Sequence, residues 1–225
     1  MATAQRVRTH AMTEEAAAER RRDILQCASH VIAKVGVDGC SFAAVSEACG
    51  FSIGMIQHYF RTRDRLILAS IDFRTSATND EWRRISARSA HPLRSIHNLL
   101  SFAVAGEESF EDAWGFWVQV YAAAHKNEDV RVTVAASLAT WRTIFVDSLR
   151  EADESGLVPA EVDYEYLASL LVAVVDGLAV QTLNGLYGTS PAIMTSTLHR
   201  FAAQQLGINW DDVLSDNNTS PASAG

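Results

Sequence analysis

The chain has 225 residues, 48% of them apolar and 20% charged, with a formal net charge of −8. That is the balance of a globular protein long enough for one or two domains, and as a whole it is too acidic for nucleic acid. The acid is unevenly placed, however: residues 1–75 hold 10 Lys+Arg against 8 Asp+Glu, and residues 76–225 hold 9 against 19, so a nucleic-acid partner is compatible with the amino-terminal third.

Residues 1–18 read as a flexible leader that contains Arg6 and Arg8, where an arm reaching the duplex is one option. A helix follows, because Ile24, Leu25, Ala28, Val31, Ile32 and Val35 share one stripe and Gly36 ends it. Arg20, Arg21 and Arg22 at its start suit either a solvated helix end or phosphate contact. Ser41 is the expected N-cap of a short helix Phe42–Cys49, with Phe42, Val45 and Cys49 on one face. Gly50 takes the left-handed position where the chain reverses, and Phe51 plugs the junction. Ser52 caps a second short helix whose Ile53, Ile56 and Phe60 face inward.

Gly54, Met55, Gln57, His58 and Tyr59 are then left for outward or flanking faces, followed by Thr62 as a cap and Arg63 in the first turn of a longer helix. This set suits DNA. Gly54 lets the backbone approach closely, Gln57 can pair with an adenine edge, and Met55 can touch a thymine methyl. Ser52, His58 and Tyr59 offer donors to phosphates, and Arg63 adds charge at the DNA backbone. The same spacing also describes a small three-helix packing unit whose polar residues face water.

The segment from Arg20 to Leu68 resembles the DNA-binding domain of the TetR family of transcriptional repressors. The likeness is carried by Gly36, Ser41, Val45, Ser46, Cys49, Gly50, Phe51, Ser52, Gly54, Gln57, Tyr59, Phe60, Arg63 and Leu66. Ser46 and Cys49 stand where alanines are usual, Phe51 for valine, Gln57 for tyrosine and Arg63 for lysine. The resemblance implies an all-α fold with four parts: the leader, a helix-turn-helix domain over residues 19–66, a helical ligand-binding and dimerisation domain over residues 67–210, and a disordered tail over residues 211–225. It implies a cytoplasmic, dimeric repressor, not an enzyme, that binds a double-stranded, palindromic DNA operator and is released by a small-molecule effector. A helical ligand-binding protein without a DNA role is the alternative.

Helices are predicted from Arg63 to Arg88, from Pro92 through Ala103, over Phe110–His125, over Asp129–Glu154, over Asp163–Tyr187 and over Pro191–Leu206. Phe110, Trp114, Trp117 and Tyr121 follow one another at helical spacing. With Phe102 and Trp141 they form a candidate cavity wall, and Asp176 and Gln181 are candidate polar groups for orienting the ligand. Taken singly, each aromatic reads first as a core residue, and it is the group that suggests a lined cavity. Trp114–His125 with Asp176, Gly177 and Leu178 also resembles the C-terminal domain of the choline-responsive branch of that family. In the last two helices Ala168, Ala173, Gly177, Ala179 and Gly185 alternate with leucines and valines, which suits close pairing of two copies. The apolar run Tyr166–Leu186 contains Asp176, Gln181 and Asn184, which argues against a membrane span. Cys27 and Cys49 read as small core residues, and Cys40 as a loop thiol open to oxidation. The histidines show no metal-ligand spacing, and no cofactor is expected.

Overall fold

Helical periodicity and capping residues divide the chain into ten α-helices and one 3-10 turn among the residues that this computed structural model describes, which are 2–89, 91–106, 108–158 and 162–215, with side chains from residue 14. No strand occurs among them. The helices are α1 (Ala2–Gly39), α2 (Phe42–Cys49), α3 (Ile53–Phe60), α4 (Arg63–Arg88), α5 (Pro92–Ala105), α6 (Phe110–Ala124), α7 (Glu128–Glu154), α8 (Tyr164–Leu183), α9 (Pro191–Leu206) and α10 (Trp210–Ser215). α1 is interrupted at Gly36, where φ is 78°. Residues 2–18, expected as a leader, carry helical backbone, and the side chains of Arg6 and Arg8 lie outside the described ones.

Two compact units result. The first comprises Met1–Ser76 with Gly115–Ala135, and the second Ala77–Trp114 with Ala136–Gly225. The first unit therefore recruits part of α6 and α7, which the sequence assigns wholly to the second domain. Close approach explains this: a Cβ on Gly115 would stand 3.3 Å from the Ala33 carbonyl oxygen, and one on Gly36 would stand 2.9 Å from the Gln119 amide oxygen. Phe116 is fully buried, with the Arg74 guanidinium 5.2 Å from its ring centre. Val35, expected on the inward stripe of α1, is 59% exposed.

In the second unit α8 buries Leu167, Ala168, Leu171, Val175, Ala179 and Thr182, and it contacts α9 and α5. By length and composition α8 could cross a membrane, but these buried residues face other helices. It ends earlier than expected, at Leu183, and the chain turns through Gly185 and Tyr187, both with positive φ. The expected tail after Asp211 begins with α10 instead. Trp210 donates its indole N–H to the His199 carbonyl (2.7 Å), Arg94 donates to the carbonyls of Val213 (3.0 Å) and Leu214 (3.2 Å), and Val213 is buried. Residues 216–225, expected as disordered, lie outside the described residues.

The α5–α9–α10 junction holds two stacked imidazoles, His97 and His199, with ring centres 3.9 Å apart. Burial lowers the pKa of both, and His97 lowers that of His199 further. An unfolded histidine takes up its proton near pH ~6.5, so below that value the unfolded chain binds more protons than the folded one. The stability from the neutral pair is therefore complete above pH ~6.5 and is lost as pH falls towards the depressed folded values. The melting temperature of the second unit is expected to fall between pH 7.5 and 5.5. A His199→Gln variant should show a visibly smaller fall, and an equal one would dismiss the pair as the cause.

Candidate functional site

α2, the turn and α3 are assembled by three local devices. The Ser41 hydroxyl accepts from the Ala44 N–H (3.1 Å), and that of Ser52 accepts from the Met55 N–H (3.2 Å). Gly50 adopts φ 73° at the end of α2. The Ser46 hydroxyl donates to the Phe51 carbonyl (2.6 Å), which ties the end of the turn back to α2. Val45, Ile56 and Phe60 are buried beneath. Each fully buried apolar side chain of this size contributes about 1.5–3 kcal/mol, enough to fix two eight-residue helices that would not persist alone.

Gly54, Met55, Gln57 and His58 on α3 are exposed, as is the cap Ser52, while Tyr59 is half-buried with its ring edge-on to His58. Ser41 is half-buried. Ile53, expected inward, is 43% exposed. It joins Met55 as an outward apolar group. A Cβ on Gly54 would meet nothing within 4 Å, so no neighbour in the chain requires glycine there.

Arg63 is placed differently from the expected phosphate contact. Its guanidinium donates to the carbonyls of Cys40 (2.8 Å), Asp38 (3.0 Å) and Val37, and lies 3.7 Å from Asp64. It pins the start of α4 to the end of α1. The exposed cations beside α3 are instead Arg61 and Arg65, which make no ion pair among the described residues. Arg61 has φ 62° and ψ −52°, a positive-φ conformation outside the left-handed helical region that propensity gives no reason to expect at arginine. Arg21 lies 5.3 Å from the Phe60 ring centre. Cys40 is fully buried and its thiol is pushed up to about 11 by burial, so it is no exposed redox group. Burial and the neighbouring Cys49 likewise raise Cys27 to about 11.

The aromatic residues regroup. Trp82 meets Phe102 (5.6 Å), Trp141 (4.8 Å) and Phe145 (5.7 Å), centre to centre, in the second unit. Trp82 and Phe145 were missed in the sequence, where both sit in helices chosen for other patterns. Phe110 and Trp114 are also buried in this unit, and the Trp114 indole donates to the Ala103 carbonyl (2.9 Å). Trp117 and Tyr121 belong to the first unit and contact each other at 6.1 Å. The expected line is therefore divided between units. Asp176 and Gln181 are half-buried on α8. The Trp141 indole N–H is buried without an acceptor among the described residues. Leaving such a donor unmatched costs about 1–3 kcal/mol. No group of three or more metal-ligating side chains occurs among the described residues.

Residues 24–70 match the family model of bacterial regulatory proteins, tetR family, and residues 92–207, 116 of the 225, match that of the BetI-type transcriptional repressor C-terminal domain. The HTH-type transcriptional regulator PksA of Bacillus subtilis (strain 168) is 25% identical over 166 residues, covering 73% of this chain and 79% of that protein. The HTH-type transcriptional regulator BetI of Rhizobium meliloti (strain 1021) is 23% identical over 162 residues, covering 72% and 77%. A transcriptional regulator from Saccharomonospora viridis, solved in complex with choline, superposes with a TM-score of 0.75 at 23% identity, over 82% of this chain and 95% of that one. At that identity the likeness speaks for the fold.

Proposed function

Because this chain belongs to the TetR family of bacterial transcriptional regulators and carries its helix-turn-helix DNA-binding domain, we propose that it is a cytoplasmic, homodimeric repressor that reads a palindromic operator through α3 and leaves it when a small molecule binds the second unit. The observation that carries this reading is α3 itself. It is capped and supported from below, yet it shows Ile53, Gly54, Met55, Gln57 and His58 to the outside. Glycine in a helix is unfavourable by up to about 1 kcal/mol against alanine, and nothing within the chain explains it at position 54. A groove edge that needs the backbone close does explain it. In a dimer two such helices enter successive major grooves about 34–36 Å apart.

The aromatic group around Trp82 and the unmatched Trp141 N–H support an effector that is apolar in part and offers an acceptor oxygen. α4 runs unbroken from Arg63 to Arg88 and contains Trp82, so strain beside that ring reaches the head through one helix. Coupling of this kind amounts to ~1–3 kcal/mol. Choline, bound in the Saccharomonospora viridis regulator, is the first compound to try.

Fluorescence anisotropy with a duplex from the protein's own upstream region tests the proposal. Affinity should fall steeply with salt. Gly54→Ala should raise the melting temperature slightly and weaken the duplex about tenfold, because the base contacts at stake are each of order 1–3 kcal/mol. Salt-independent or undetectable binding, or an alanine variant that binds as well as the parent, would rule out α3 as the reader.

A further inference from the structure

The first unit contains a cavity of about 370 Å³ between the end of α1, the start of α4, the end of α6 and the start of α7, which the proposed DNA contact does not use. We propose that it binds a small organic cation with N–H donors, a guanidinium or primary ammonium on a short apolar body. Its volume lies in the range of small-ligand sites. Val37, Ile67 and Val130 supply apolar wall, and Asp38, Asp129 and Lys126 supply charge.

The charge balance selects a cation. Arg63 also lines the cavity, but its guanidinium is committed to three carbonyl oxygens and faces Asp64. Lys126 then stands against Asp38 and Asp129, and none of these three makes an ion pair among the described residues. The acceptors suit N–H donors in particular. The carbonyls of Val37 and Asp38 already receive a guanidinium from within the chain, and each carbonyl oxygen has two lone pairs. The Gln119 amide oxygen, held against Gly36, is a further acceptor in the wall. A metal ion is the poorer fit, since the carboxylates here form no metal-holding group among the described residues. A bound cation shares the carbonyls that hold Arg63, and so acts on the pin between α1 and α4.

Isothermal titration of the full chain at low ionic strength, with agmatine as probe and glutarate as anionic control, tests the site. Agmatine should saturate at one per chain and glutarate should not bind. Asp129→Asn should weaken agmatine about three- to fivefold, the scale of a solvent-exposed charge pair. Lys126→Gln should strengthen it. Ala123→Phe, which fills the cavity, should abolish it. If that variant misfolds, the opposite signs of the two charge variants still decide. Absent agmatine binding, or binding that none of these changes alters, overturns the proposal. The titration involves no DNA, so its failure would leave the operator reading standing.

Discussion

Under the proposed dimeric repressor, Gly177→Arg should yield a folded monomer that has lost tight operator binding. Apart from Glu165 at the first turn, the exposed residues of α8 are Tyr166, Ser169, Ala173, Gly177 and Val180, and the exposed Asn184 follows at its C-cap. Their separations of three and four residues place them on one side of the helix. The middle of that stripe is Ala173 and Gly177, short enough for a second backbone to lie against it. On the neighbouring α9, Ile193 is 47% exposed, and Tyr187 in the turn between the two helices is 90% exposed. Apolar groups shown so openly call for a cover, and in the proposed dimer a second copy about a two-fold axis would provide one. A Cβ at Gly177 meets nothing within 4 Å in its own chain, so arginine fits the protomer and improves helix propensity by up to about 1 kcal/mol. In the proposed dimer it would place a charge where two helices should touch. Once separated, the two heads no longer raise each other's local concentration, and duplex affinity should drop about 10²–10⁴-fold. Sedimentation velocity and anisotropy check both halves. A variant that stays dimeric would move the interface elsewhere.

Arg63→Ala should lower the stability of the first unit by about 2–4 kcal/mol. Hydrogen bonds to a charged group each contribute about 1.5–3 kcal/mol when buried, and the sum is reduced because the Arg63 side chain is 37% exposed. Duplex affinity should fall too, because α3 is joined to α4 through Arg61 and Thr62, and one of the ties that hold this end of α3 in place goes with the pin. Arg63→Lys separates this from a phosphate contact. An ammonium keeps the charge but cannot present the planar fork that reaches several carbonyls. The pin role therefore predicts poor recovery of stability, and a salt dependence of duplex binding that is unchanged from the parent. A phosphate role predicts near-full recovery by lysine, and a salt slope smaller by about one in the alanine variant. Urea unfolding and salt-dependent anisotropy on the three proteins give the answer.

Several features were legible in the residues because their causes are local. Ser41, Ser52 and Thr62 cap the helices that follow them, and Gly50 takes the left-handed turn. Each depends on atoms within three or four residues, so a short stretch of sequence contains the whole argument. The helix limits at Pro92, Gly156 and Pro191 were legible for the same reason. Ile53 and Val35 are exposed against the expectation from spacing, because periodicity shows which residues share a face but not how far the covering helices extend.

The sequence by itself determined the all-α class, the turn between two short helices, and the family, since these follow from spacing and from backbone preferences that neighbours impose. The tertiary structure alone decided what Arg63 holds, that Cys40 is sealed from solvent, that Trp82 and Phe145 join Phe102 and Trp141, and that Trp117 and Tyr121 belong with the head. Trp82 lies tens of residues from its aromatic partners, and Arg63 from the carbonyls it holds. Which of them meet depends on how whole helices pack, and no local preference encodes that.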